Sequence, residues 1–335
     1  MTYFRAKRFF VEKLALYQQQ FLAYLEQNSR VAEPRNLYEP IHYILNLGGK
    51  RIRPILTLMG ADIFGSTPEE ALPAALAVEV FHNFSLVHDD IMDAAPLRRG
   101  KMTVHTKWDT NTGILSGDAM LIQAYQNFEV YPPNLFVQLA KLFSTTALQV
   151  CEGQQYDVDF ETRNDVTEEE YMHMITYKTA VLVGAAFQMG AIIADQDKKE
   201  QEAIYEYGKL LGIAFQLQDD YLDAFGNPET FGKQVGGDII ENKKTYLYLK
   251  SLDLGNAEEV AELTHLFSEN YGGTDAEKII LTKAIFQSSG ASEATQYEIE
   301  IYTNKAFAVV SDLNISEENK KLLIDFGTYL MNRRV

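Results

Sequence analysis

The sequence predicts an all-α protein, and three observations carry that expectation. Apolar residues recur at helical spacing, as in Phe9, Leu14, Leu16, Phe21 and Leu25, which gathers them on one face of a helix. Capping residues followed by glutamates recur along the chain, and each such pair marks a helix start. Alternating apolar runs bounded by Asn-Gly or Asp-Gly turns, which would signal hairpins, are absent.

The expected elements follow in chain order. Residues 4–29, 36–47 and 52–64 read as the first three helices, the third entered through Gly48-Gly49. Thr67-Pro68-Glu69-Glu70 opens a helix over 68–93, its hydroxyl three residues before a glutamate so that the two can satisfy orphan amides. Helices over 112–130 and 134–160 follow, and Thr167-Glu168-Glu169-Glu170 opens 167–194 in the same way. Next come 198–224 and 239–251, then 256–269 behind Asn256 and 275–289 behind Thr274. Helices over 293–309 and 316–331 close the chain, the last with Ser316 as cap and Glu317-Glu318 in its first turn. Residues 94–101 and 225–237 read as loops, placed where they can hold a ligand or close over it.

A chain of 335 residues can bury a large core, and length alone would permit two domains. No Gly/Ser-rich or Pro-rich tract and no long run of like charge divides it, so the expectation is one domain over residues 1–335. The net charge of −17 argues against nucleic acid as a partner. Cys151, as the single cysteine, excludes an intramolecular disulfide. Residues 1–20 mix charges among their apolar positions, unlike a signal peptide, and no apolar run reaches the ~18 residues of a spanning helix. A cytoplasmic protein without a transmembrane segment is expected.

The chemistry is concentrated in two repeats of one spacing. Asp89-Asp90-Ile91-Met92-Asp93 and Asp219-Asp220-Tyr221-Leu222-Asp223 both read DDxxD. On a helix, residues four apart share a face, so Asp89 pairs with Asp93 and Asp219 with Asp223. Two carboxylates about 5 Å apart repel by roughly 3 kcal/mol at an effective dielectric near 20, and Asp is a poor residue for a helix interior. A single DDxxD could be a solvated acidic face. Two copies behind Val80–Val87 and Leu211–Leu217, segments too apolar for solvent, call for a cation. Hard oxygen donors without nearby His or Cys suit Mg²⁺, which shares its coordination with water and substrate phosphates.

These motifs, together with Gly48-Gly49-Lys50-Arg51-Ile52-Arg53-Pro54, Arg98-Arg99-Gly100, Gly117-Asp118, Gly153-Gln154, Lys178-Thr179, Phe215-Gln216 and Gly232-Lys233, resemble the trans-isoprenyl diphosphate synthases in content and order. The resemblance implies a single helical bundle of the isoprenoid synthase type with a central active-site cavity. It implies a homodimer and three Mg²⁺ per active site with substrate bound. Its substrates would be isopentenyl diphosphate and an allylic prenyl diphosphate.

By the same resemblance, Asp89, Asp93, Asp219 and Asp223 hold metal, and Asp157 is an additional ligand. Lys50, Arg53, His82 and Arg99 hold isopentenyl diphosphate, while Arg98, Lys178 and Lys233 serve the allylic diphosphate, with Lys243 a further basic group. Thr179 and Gln216 face the carbocation with oxygen dipoles. Phe84 and Ser85, one turn before Asp89, and Phe81 beyond them form the floor that limits the growing chain. A phenylalanine there implies a short product of fifteen to twenty carbons. A class I terpene synthase, or a noncatalytic subunit regulating an active synthase, are the alternatives. Two intact acidic motifs and a complete basic set weigh against both.

Overall fold

The computed structural model describes residues 2–226, 235–268 and 270–332, with side chains from Phe10 onward. The helices are α1 (Thr2–Asn28), α2 (Arg35–Leu45), α3 (Ile52–Ile63), α4 (Pro68–Met92), α5 (Val104–Lys107), α6 (Thr110–Gln126), α7 (Pro133–Thr162) and α8 (Glu168–Ile175). A π-helical turn, Thr176–Ala180, leads into α9 (Val181–Ile193) and then α10 (Lys198–Phe225). The remaining helices are α11 (Gly237–Ile240), α12 (Tyr246–Leu254), α13 (Ala257–Leu266), α14 (Asp275–Ser288), α15 (Ala291–Asp312) and α16 (Glu317–Met331). The only strands among the described residues are β1 (Leu97–Arg98) and β2 (Lys101–Met102), an antiparallel hairpin pairing Leu97 with Met102 and Arg98 with Lys101.

Several expectations are corrected. Residues 94–101 are not plain loop, since they hold most of that hairpin. The helix expected over 239–251 is two, α11 and α12, because Asn242 takes a left-handed backbone (φ 58) that ends the first. The continuous helix over 167–194 contains the π-helical turn. Thr167, Asn256 and Thr274 form complete capping boxes with Glu170, Glu259 and Glu277. Thr67 makes no such bond, and Glu70 instead accepts from Ser66 Oγ at 2.5 Å.

The chain divides into two compact units. The first comprises Met1–Ala147, Ala185–Tyr205 and Asn314–Asn319. Its centre is α4, which packs on α3 and α6 and buries residues around most of its circumference, from Ala71 to Asp90. A helix that is apolar on all sides belongs in a core.

The second unit comprises Leu148–Gly184, Glu206–Leu313 and Lys320–Val335. Its core is rich in aromatic rings, among them Phe160, Tyr171, Tyr246, Tyr248, Phe267 and Phe286. Burying a Phe side chain stabilises the fold by roughly 1.5–3 kcal/mol relative to leaving it exposed. Against the expectation of no spanning stretch, the helical segment Glu168–Ile193 is long and apolar enough to cross a membrane. Its most apolar window is 78% buried inside the protein, as for a core helix.

Candidate active site

In the first unit, the turn into α3 sets the basic cluster. Arg51 stands just before the helix in a left-handed conformation (φ 51). Its guanidinium points inward, donating to Glu79 Oε1 and to the Leu45 carbonyl, and both charged side chains are buried. Asn83 Nδ2 also donates to Glu79 Oε1, at 2.8 Å. A buried ion pair persists when its remaining polar atoms are satisfied in this way. Arg51 is therefore an anchor. Its neighbour Lys50 is exposed and Arg53 half-buried.

The β1–β2 hairpin supplies two more guanidinium groups. Arg98 forks onto Asp90, with Nε 2.8 Å and Nη2 2.7 Å from Oδ1. Arg99 lies in the hairpin turn at φ 52, and its Nη1 donates to the Gly48 carbonyl. Gly49 (φ 121) makes that approach possible, because a Cβ there would stand 2.9 Å from Arg99 Cζ. These groups converge on His82, whose Nε2 lies 3.3 Å from Arg53 Nη1. Desolvation, then the charges of Arg53, Arg99, Arg98 and Arg51, hold the His82 imidazole well below its ordinary value. It is neutral at pH 7 and accepts from Arg53.

The first acidic motif ends α4. Asp89 is half-buried, Asp93 is exposed at the helix C-cap, and Asp90 between them is fully buried against Arg98. Spacing alone marked Asp89 and Asp93 as partners and gave no role to Asp90. One to two turns earlier, Phe84 packs on His88 and Phe81, with ring centroids 4.8 and 5.6 Å apart, and Phe81 packs on Phe143 at 5.1 Å. Ser85 Oγ donates to the His82 carbonyl at 2.9 Å.

In the second unit, a cavity is lined by Asp157, Lys178, Thr179, Gln216, Asp220, Asp238, Lys243 and Lys244, with Phe160, Tyr171, Met174 and Ile175 among its apolar neighbours. Lys178 and Thr179 sit in the π-helical turn, a distortion frequent at functional sites. A Cβ on Gly153 of α7 would meet Lys178 N at 2.2 Å, so glycine is what lets α7 approach this turn. Lys178 Nζ pairs with Asp157 Oδ2 at 2.5 Å. Thr179 Oγ1 donates to Gln216 Oε1 at 3.0 Å, and Gln216 Nε2 donates to Asp220 Oδ1 at 2.8 Å.

Burial and the neighbouring charge of Asp238 push the Asp220 carboxyl up to about 8. Burial by itself would lower the Lys243 ammonium, yet Asp238 and Glu241 at 3.7 and 2.9 Å raise it. The two acidic motifs are not equivalent. Asp219 is half-buried, whereas Asp223 is buried and its Oδ2 accepts from the Asp238 amide at 3.0 Å, tying it to the start of α11. Lys233 lies outside the described residues.

The family model for polyprenyl synthetase matches residues 34–285. This chain belongs to the polyprenyl synthetase family. A geranylgeranyl diphosphate synthase of Methanosarcina mazei is 41% identical over 67% of this chain and 70% of its own length. A geranylfarnesyl diphosphate synthase of Natronomonas pharaonis is 35% identical over 90% of this chain and 92% of its own. A solved geranylgeranyl pyrophosphate synthase superposes with a TM-score of 0.93 at 58% identity, over 96% of this chain and 98% of that one. This polyprenyl synthetase is a short-chain trans-prenyltransferase with the all-α isoprenoid synthase fold.

The donor chemistry of the polyprenyl synthetase fits Mg²⁺. Asp89, Asp93 and Asp219 offer hard carboxylate oxygens that are at least partly accessible. Among the described residues, no group of three carboxylate, imidazole or thiol side chains is placed to hold a metal ion unaided. Mg²⁺ completes such carboxylate oxygens with water and substrate phosphate. Sequence reasoning missed Asp90, Tyr171, Asp220, Asp238 and Lys244. Asp90 and Asp220 carried a signal, as the inward member of each motif, while the other three meet their partners only through the fold.

Proposed function

We propose that this chain condenses isopentenyl diphosphate with an allylic diphosphate to a trans-prenyl diphosphate of fifteen to twenty carbons, with Mg²⁺ as its metal. The contact of Arg53 with His82, beside Arg99 folded onto the Gly48 carbonyl, carries this reading. Arg51 is neutralised by Glu79 and Arg98 by Asp90, and the planar guanidinium forks of this cluster match the oxygens of a diphosphate. Lys50, Arg53, His82 and Arg99 hold isopentenyl diphosphate, with neutral His82 able to donate through one ring nitrogen while accepting at the other.

Arg98, Lys178, Lys233 and Lys243 take the allylic diphosphate. Asp89, Asp93 and Asp219 are the principal metal ligands, with Asp157 and Asp223 as further donors already engaged by Lys178 and the Asp238 amide. Bound Mg²⁺ would neutralise the leaving diphosphate and lower the barrier to C–O ionisation. The amide and hydroxyl oxygens of Gln216 and Thr179 face the resulting cation. Holding the second alkene beside it replaces a bimolecular encounter. The departed diphosphate accepts the proton lost as the new alkene forms.

The family match, which spans residues in both compact units, supports one catalytic domain. Burial of the Glu168–Ile193 segment supports a core helix rather than a membrane span; a cytoplasmic location and a homodimer are part of the same proposal. The relatives named as geranylgeranyl diphosphate synthases support the twenty-carbon end of the product range. The purified protein should incorporate labelled isopentenyl diphosphate into prenyl diphosphates when given an allylic starter and Mg²⁺. Hydrolysis or cyclisation of the starter without incorporation would instead favour a terpene synthase, and no turnover a regulatory subunit.

A further inference from the structure

We propose that Tyr171 is a positioning residue that, acting through Asp220, fixes which end of the Gln216 amide faces the reacting cation. The inference rests on the reading above that Gln216 and Thr179 present oxygens to that cation. The two ends of an amide side chain are nearly identical in shape and opposite in polarity, so only its neighbours decide the orientation. An oxygen toward the cation stabilises it, and an NH₂ group opposes it.

Here the orientation is set by a relay of hydrogen bonds. The Tyr171 hydroxyl donates to Asp220 Oδ2. Asp220 Oδ1 accepts from Gln216 Nε2 at 2.8 Å, one turn away on α10. Gln216 Oε1 is thereby turned to the opposite side, where Thr179 Oγ1 donates to it at 3.0 Å. A carbonyl oxygen has two lone pairs, so one remains after Thr179 is served. Thr179 and Gln216 line the same cavity as Lys178.

Tyr171 is itself buried, with 1% of its surface exposed, and its ring packs beside Tyr246 at 6.1 Å between centroids. Its hydroxyl bonds one oxygen of the Asp220 carboxyl group, Oδ2, and leaves the other, Oδ1, to accept from Gln216. Without it the carboxyl group can rotate, and the amide loses its fixed anchor.

A double-mutant cycle of Tyr171→Phe and Gln216→Ala, with steady-state kinetics at saturating Mg²⁺, tests the relay. Tyr171→Phe should lower kcat by about tenfold, leave KM for both diphosphates and the Mg²⁺ requirement unchanged, and have no further effect on kcat in the Gln216→Ala background. Should Tyr171→Phe not fold, Asp220→Asn replaces it in the same cycle with the same expected non-additivity. Full kcat in a folded Tyr171→Phe enzyme, an equal fold-loss in both backgrounds, or a change confined to KM would overturn the inference. If Gln216→Ala is impaired while Tyr171→Phe is not, the relay alone fails. Wild-type turnover of Gln216→Ala would remove both the relay and the cation-facing role it serves.

Discussion

At His82, partial burial and four surrounding guanidinium groups disfavour the imidazolium, and the consequence for stability has a definite sign. The folded protein keeps this ring neutral, whereas the unfolded chain's imidazole protonates near its ordinary value of 6.5. Unfolding therefore takes up a proton below that pH. Stability should fall as the solution is acidified below about 6.5, by at most about 1.4 kcal/mol per pH unit from this group. Urea unfolding of wild type and His82→Gln at about pH 7.5 and 5.5 should show a shallower acid-side loss in the variant, and parallel losses would contradict the assignment. For the carboxylates, Asp89→Ala and Asp219→Ala should each lower turnover at least about 100-fold, or roughly 3 kcal/mol of transition-state stabilisation, in proteins that still fold. Wild-type rates from either well-folded variant would refute its metal role. The i, i+4 spacing made Asp89 and Asp93 legible as a pair. It could not reveal that Asp90 holds Arg98, because that contact depends on the hairpin folding back onto α4.

Among the elements, α4 carries the greatest share of the proposed function, since its C-terminal half bears His82, the aromatic floor and the first acidic motif. Phe84 is 8% exposed and closes one side of the aromatic group that includes Phe81 and Phe143. Phe84→Ala should shift the product toward longer chains, read by chromatography, at a packing cost of about 3–5 kcal/mol if no rearrangement fills the space. An unchanged product distribution from a folded, active variant would defeat its role as a floor. Helix starts were legible wherever the signal is local, as in the capping boxes at Thr167, Asn256 and Thr274. The β1–β2 hairpin was not, because strands of two residues show no periodicity. The break between α11 and α12 was also hidden. It falls at Asn242, whose side chain accepts from Lys278 Nζ at 2.6 Å across 36 positions of chain. The π-helical turn at Thr176–Ala180 has no compositional mark either, although the glycine that accommodates it, Gly153, stood in the motif list.

Over the whole molecule, the all-α class and the family were readable because motif order and helix periodicity survive without knowledge of side-chain packing. The division into two compact units was not, since no linker marks it and each unit is assembled from separate stretches of chain. Residue order alone does not tell buried anchors from the arginines proposed to bind ligand. Arg51 and Arg53 stand two positions apart, yet one is buried on Glu79 and the other reaches His82. The central claim is that the Lys50, Arg53, His82 and Arg99 cluster binds isopentenyl diphosphate while other groups ionise the allylic substrate. Its most direct test compares Lys50→Ala and Arg53→Ala with wild type, measuring KM for isopentenyl diphosphate alongside Mg²⁺-dependent hydrolysis of the allylic diphosphate alone. The expected result is a KM raised by at least about tenfold, the loss of one charge-assisted hydrogen bond, with allylic hydrolysis nearly unchanged. Loss of allylic hydrolysis with a normal KM for isopentenyl diphosphate would contradict it.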